Sequence, residues 1–371
     1  MQKLPFKDLL VVSLEQAVAA PYASCLLAEG GARVIKIERA EGDFARDYDS
    51  VVLGESAYFV WLNAGKESIQ LDLRIQRDKA LLVSMLAAAD VFIQNLKPGA
   101  AERLGFGWKA NHEINPRLVM CSISGYGSTG DYAQLKAYDA LIQAESGLCS
   151  VTGPPHTPSR VGISVCDIAA GLTAYGEILK ALLQRHQSNT GDHVQVPLFE
   201  VMAEWMSVPM AYYKYGDRVL TGTGIDHAQI APYGAFATRD GQIFIAVQND
   251  REWVELCTEV LQRKDLVRHD LFSDNQQRVR NIDALRTELE TVFTRYESLE
   301  LARILHAHGI ANGRVNTVDK VWEHPQLRTK TIESGGNRST WVRRVGDDGS
   351  IVRKVPALGE HSDALRREFS N

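Results

Sequence analysis

DLLVVSLEQAVAAPYASCLLAEGGARVIKIER, residues 8–39, sets two apolar runs on either side of a small-residue segment. Residues 8–14 form an apolar run that reads as a buried strand. Residues 21–31 read as a helix opened by Pro21 and stopped at Gly30-Gly31, and 32–39 as the next strand. Strand, helix and strand so closely spaced make a right-handed crossover with parallel strands. The pattern continues outward, with strands at 67–73, 90–96 and 118–127 and a helix at 76–89. This is an open α/β domain with a parallel sheet.

The glycines do not make a nucleotide site. After the first strand the chain reads EQAVAAP (15–21) where GxGxxG would be required, and GxxxxGK[ST] occurs nowhere. Nucleotide-dependent redox and phosphoryl chemistry are therefore disfavoured. Further on, 167–187 reads as a long helix, followed by a strand and another helix. Residues 221–235 are polar and turn-rich, as a linker would be, and 233–250 read as a hairpin turning at Arg239-Asp240-Gly241. Helices dominate from 251 to about 309, and the last part returns to strands and a short helix. A smaller second domain is thus inserted before the chain comes back.

At 371 residues the chain is long enough for two domains, with 45% hydrophobic and 23% charged residues, as in ordinary globular proteins. A net charge of −5 with dispersed cations leaves no footprint for nucleic acid. Five widely spaced cysteines without a CxxC pair suggest reduced thiols rather than disulfides, and no metal site. No apolar run suits a membrane span, and the N-terminus lacks a signal-peptide pattern, so a cytoplasmic protein is expected, with no membrane partner.

In SRVGISVCDIAAG (159–171) a β-branched run reaches Asp167 just where a small-residue helix begins. Two readings stand. Asp167 caps the helix, or it faces the ligand crevice beyond a strand end, where a carboxylate can serve as a nucleophile. Tyr138 is similarly open, as a core ring or as a hydroxyl beside a reacting group.

AAPYASCLLAEGGARVIKIER (19–39), GDFAR (42–46), WLNAGKESIQLDL (61–73), ADVFIQNLKPGAAERLGFG (89–107), SISGYGSTGDYAQLKAYDALIQAESGL (122–148), VCDIAAGLTAYGEILKALLQRHQSNTGDHVQVPLFE (165–200) and LGEH (358–361) occur in an order and spacing that resemble the class III CoA-transferases of the CaiB–BaiF type. The resemblance covers nearly the whole chain. It implies a Rossmann-like large domain built from both chain ends, with 1–200 catalytic and CoA-binding, a linker helix at 201–224, a small α/β domain at 225–320 and a return at 321–371. It also implies an interlocked-ring homodimer.

By the same resemblance Asp167 is the nucleophile that forms an acyl-aspartyl intermediate, and Tyr138 steadies it. Arg39, Leu71, Asn95, Leu96, Arg103 and Lys136 fall at CoA-contacting positions. A CoA thioester is then the co-substrate, with a small carboxylic acid as acceptor and no permanently bound cofactor. The racemases of the same architecture have a His where this chain has Tyr138, and a phenol near its ordinary pKa of about 10 shuttles protons badly. Racemisation of α-methylacyl-CoA and non-catalytic binding of CoA esters remain the alternatives.

In the acyl pocket, Val18 stands where formyl-CoA transferase has a Gln, with Gln16 two places earlier, and Tyr48 stands for a Trp. The glycine run of that enzyme's small domain has no counterpart, which implies a pocket unlike that of an oxalate enzyme. GDFARDYD (42–49) resembles instead the enzymes of C4–C6 dicarboxylates such as succinyl-CoA. Arg46 is then expected on a distal carboxylate, its planar fork suiting two hydrogen bonds. His227 is expected where the linker reaches the acyl pocket, against the plainer reading of a turn histidine.

Overall fold

The computed structural model describes residues 4–370. The chain folds into two compact units, the first comprising, of these residues, 4–148, 161–208 and 328–370, and the second 149–160 and 209–327.

The first unit is built on six parallel strands: β1 Leu10–Leu14, β2 Arg33–Glu38, β3 Glu67–Gln70, β4 Val91–Gln94, β5 Val119–Ser124 and β6 His193–Pro197. Their spatial order is β3-β2-β1-β4-β5-β6, that of a doubly wound dinucleotide-type sheet. The order reverses between β1 and β4, which pair from Val11 with Val91 to Leu14 with Gln94. Strand periodicity explains the three layers. Val11, Val34, Val91 and Val119 face one core, with the helices Ala19–Glu29 and Val165–Ser188, whereas Val12, Ile35, Phe92 and Met120 face another, with the helix Gln76–Ala88. A smaller sheet of β10 Thr329–Ser334, β11 Asn337–Val342 and β12 Arg353–Lys354 completes the unit.

The second unit carries the antiparallel sheet β7 Tyr233–Thr238, β8 Gly241–Ala246 and β9 Ala311–Arg314. Its core gathers Phe236, Ile243, Trp253, Leu289 and Phe293. The hairpin turns at Arg239-Asp240 as read from the sequence. The third strand, too short and polar to announce itself, was hidden among helices.

Two local expectations are corrected. The first helix starts at Ala19, so Pro21 sits at its third position, still within the first turn, where a missing N–H costs nothing. Residues 159–164 do not form a strand, and the helix that follows starts at Val165 with Ser164 as its N-cap. Asp167 is therefore the third residue of a helix, neither its cap nor a strand end. The backbone of Val161 and Ile163 bonds to the side chain of Gln143 instead of to a sheet.

Candidate active site

The loop after β1 is the part of the sheet that lies at the reversal point, and buried charges hold it. Glu15, Lys36, Asp43 and Lys66 have wholly buried side chains, with Lys36–Asp43 at 2.8 Å and Lys66–Glu15 at 2.7 Å. Burial alone would raise the Glu15 carboxyl, but Lys66 and Lys36 together with their hydrogen bonds bring it down to about 2. Above this network, Asp43 accepts the Ala17 N–H at 3.0 Å, and Ala17 adopts a left-handed φ of 63°. Asn95, just past β4, accepts the Gln16 N–H at 3.0 Å and donates to the Gln16 carbonyl at 2.8 Å. The Gln16–Asn95 clamp thus joins the two strands at the place where such sheets bind ligands.

Beside this clamp, at the carboxyl ends of β1, β2 and β3, lies a cavity of about 420 Å³. Its lining includes Gln16, Arg39, Leu71, Arg74, Leu96 and Leu104. The size falls within the roughly 300–1,000 Å³ usual for small-molecule sites.

Asp167 is placed by a close approach of two helices. A Cβ on Gly171 would lie 2.6 Å from the Ala19 carbonyl oxygen and 2.9 Å from Tyr22 Cβ, so only glycine permits this contact. Asp167 is one turn earlier on the same helix face, toward the start of the helix Ala19–Glu29 and so toward the loop Glu15–Val18. Among the described residues no ion pair or hydrogen bond engages its carboxylate. Burial, and then the charge of Asp139, push it up to about 7.

Aromatic rings flank this point. The hydroxyls of Tyr58 and Ser164 are 3.1 Å apart, and the Tyr58 ring meets Tyr48 edge-on with centroids at 5.6 Å. Burial, with the charges of Asp43 and Asp167, pushes the Tyr48 phenol up to about 12, so it remains a hydrogen-bond donor. Tyr138 is the N-cap residue of the helix Asp139–Glu145 and is 63% exposed, which excludes the core-ring reading.

A buried, charge-balanced loop support, an unpaired carboxylate and a cavity beside the reversal point make up the site. CoA-transferase family III matches residues 6–362. This chain belongs to that family. It is 34% identical to the acetyl-CoA:oxalate CoA-transferase of Acetobacter aceti, over 99% of this chain and 96% of that one. It is 30% identical to the human succinyl-CoA:glutarate CoA-transferase, covering 98% and 86% of the two chains. A solved CaiB/BaiF family structure from Brucella suis superposes with a TM-score of 0.84 at 32% identity over the full length of both chains. The family makes this protein a class III CoA-transferase.

Of the residues singled out from sequence, Gln16, Arg39, Leu71 and Leu96 come together in the cavity lining. Asn95 acts on the Gln16 backbone, and Val18 is buried as the N-cap residue of the first helix. Arg103 and Lys136 are exposed and lie outside the lining. Arg46 is committed elsewhere: it grips the buried Glu38 through two hydrogen bonds of 2.9 and 2.7 Å and lies 3.8 Å from the Phe59 ring centroid. His227 belongs to the second unit, where its ring stacks on Tyr233 and its Nδ1 accepts the Gln229 N–H. Arg74, Tyr58 and Asp139 were missed by the sequence reading. Asp139 alone had a visible signal, as a carboxylate directly after Tyr138.

Proposed function

We propose that this protein transfers CoA from an acyl-CoA to a free carboxylic acid, with Asp167 as nucleophile. The observation that carries this reading is the Asp167 carboxylate, unpaired and held near neutrality, beside the loop at the reversal point of the sheet. Its oxygen attacks the thioester carbonyl, giving a mixed anhydride and CoA thiolate. The thiolate then attacks the aspartyl carbonyl, releasing the donor acid and leaving an aspartyl-CoA thioester. The acceptor carboxylate attacks that thioester, expelling the thiolate and forming a second anhydride. Return of the thiolate to the acceptor carbonyl frees the new acyl-CoA and restores Asp167. Every intermediate is an activated acyl group, so the acyl potential is conserved.

In this reading the CoA moiety occupies the cavity, with Leu71 and Leu96 along its apolar part, Arg39 available to its phosphates, and Arg74 at the exposed rim, where it exchanges its solvent-exposed pairing with Asp72 for a phosphate. Tyr138 and the protonated phenol of Tyr48 donate hydrogen bonds at the acyl-aspartate. The acceptor is a dicarboxylate, the class shared by the oxalate and glutarate enzymes among its relatives, and succinyl-CoA is the donor we favour. A homodimer is supported by the helix Ser207–Gly216, which buries no residue of its own while exposing Val208, Tyr213 and Tyr215. Five free thiols suit a reducing compartment such as the cytoplasm.

The test is mass spectrometry of CoA esters after incubation in D2O with succinyl-CoA, a 2-methylacyl-CoA and a panel of mono- and dicarboxylic acids, for the wild type and Asp167→Ala. New esters without deuterium, absent with the variant, are expected. Deuterium at the α-carbon of the 2-methylacyl-CoA without a new ester would replace transfer by racemisation, and full activity of Asp167→Ala would remove the nucleophile.

A further inference from the structure

Asp139 follows Tyr138 in sequence and lies outside the cavity lining, yet it holds the nucleophile's backbone. Its Oδ1 accepts the N–H of Cys166 at 2.8 Å and of Asp167 at 3.3 Å. Its Oδ2 accepts from Nε2 of the buried Gln143 at 2.7 Å. Gln143 in turn accepts the Val161 N–H at 2.8 Å and donates toward the Ile163 carbonyl at 3.3 Å. Two side chains one turn apart on a single helix therefore fasten the irregular segment from Val161 through to Asp167.

The helix Val165–Ser188 has a serine at its N-cap but makes no cap bond with it. The Ser164 hydroxyl is bonded to Tyr58, and the orphan N–H groups of the first turn are served from outside the helix by Asp139. A carboxylate in this place sets a second negative charge close to Asp167, which a cap made only for stability would avoid. The groups acting on Asp167 are few. Asp139 is the charged one, and the phenol of Tyr48 lies within electrostatic reach of both Asp167 and Tyr138.

We propose that Asp139, braced by Gln143, is a positioning residue of the transfer reaction: one carboxylate joins the turn that carries Asp167 to the residue that carries Tyr138. This rests on the reading of Asp167 as nucleophile. Nucleophile and phenol then move as one piece. Displacement of a reacting atom by about 1 Å costs on the order of 100-fold in rate, so loosening this joint acts on turnover more than on binding.

The experiment compares wild type, Asp139→Ala, Asp139→Asn and Gln143→Ala as full-length proteins, measuring kcat and KM for succinyl-CoA against pH and the amount of hydroxylamine-cleavable acyl-Asp167. Asp139→Ala is expected to lower kcat by about 10- to 100-fold with KM changed by less than about threefold. Asp139→Asn keeps one oxygen for the two N–H groups but loses the charge. It is expected to recover part of kcat and to move the acidic limb of the profile to lower pH by about one unit. Gln143→Ala should fall between. Where the alanine variant does not fold, the near-isosteric asparagine variant decides. Wild-type kcat together with an unmoved acidic limb in Asp139→Asn overturns the proposal, as does turnover per trapped site unchanged in Asp139→Ala. Failure of the wild type to form acyl-Asp167 overturns the underlying nucleophile reading instead, whatever the Asp139 variants do.

Discussion

Replacing Asp167 should stabilise the protein, in a pH-dependent way. Folding holds the Asp167 carboxyl at about 7 against an ordinary value of 3.8, burial being the larger cause and Asp139 the second. At low pH the group is neutral in both the folded and the unfolded chain and costs nothing. As pH rises past 3.8 the unfolded chain ionises first, so stability falls progressively until the folded carboxyl also ionises near pH 7, and stays level above that. A shift of about three pH units corresponds to about 4 kcal/mol at most, and the partial exposure of Asp167 reduces this to about 2 kcal/mol. Asp167→Asn escapes the loss. At pH 4.5 the unfolded carboxyl is already mostly ionised and about half of the loss is present, so the advantage over the wild type, from urea unfolding at pH 4.5 and pH 8, should grow by about 1 kcal/mol between the two conditions. A difference that is the same at both pH values, or a variant less stable at pH 8, would refute the claim that folding resists ionisation of Asp167.

The same carboxyl sets a rate limb: with Asp167 at about 7, roughly a tenth is ionised at pH 6, so initial rates at subsaturating acyl-CoA should fall about tenfold from their alkaline plateau. A flat profile from pH 5 to 8 would show that another form attacks. Asn95→Ala leaves the Gln16 N–H and carbonyl without their partner, and should raise KM for acyl-CoA by about tenfold, equivalent to about 1.4 kcal/mol, in steady-state assays. Arg46→Met strands the buried Glu38 and should cost about 3–5 kcal/mol in urea unfolding, largely recovered in Arg46→Met/Glu38→Gln. Loss of dicarboxylate preference with stability intact would instead return Arg46 to the substrate.

What could be read in the sequence followed the reach of each signal. Strand and helix periodicity is local, so β1 to β5 stood out from runs such as VVSL and VIKI, and the small-domain hairpin from its Arg-Asp-Gly turn. The stretch before Asp167 misled because β-branching at Val161, Ile163 and Val165 fits a strand, whereas the partners of the Val161 and Ile163 backbone groups lie on Gln143, 18 and 20 residues away, and Val165 already opens the helix. Arg46 misled for a related reason. A guanidinium near the site looks free in sequence, and only the fold shows Glu38, eight residues earlier, already holding it.

The strand order is that of dinucleotide-binding proteins, yet the first loop cannot do their work. There a glycine loop lets backbone approach a pyrophosphate at the helix N-terminus. Here the corresponding loop carries Glu15, Gln16, Ala17 and Val18, with Val18 buried and Ala17 bolted to Asp43, and the buried lysines beneath it are already neutralised by acids. The cavity accordingly lies to one side, past β2 and β3. The helix start that would face a phosphate meets Gly171 and, one turn away, Asp167. The sheet keeps its preferred ligand position, and by filling the phosphate seat with side chains the sequence closes it to a pyrophosphate and leaves a carboxylate beside it, as the proposed acyl transfer to Asp167 requires.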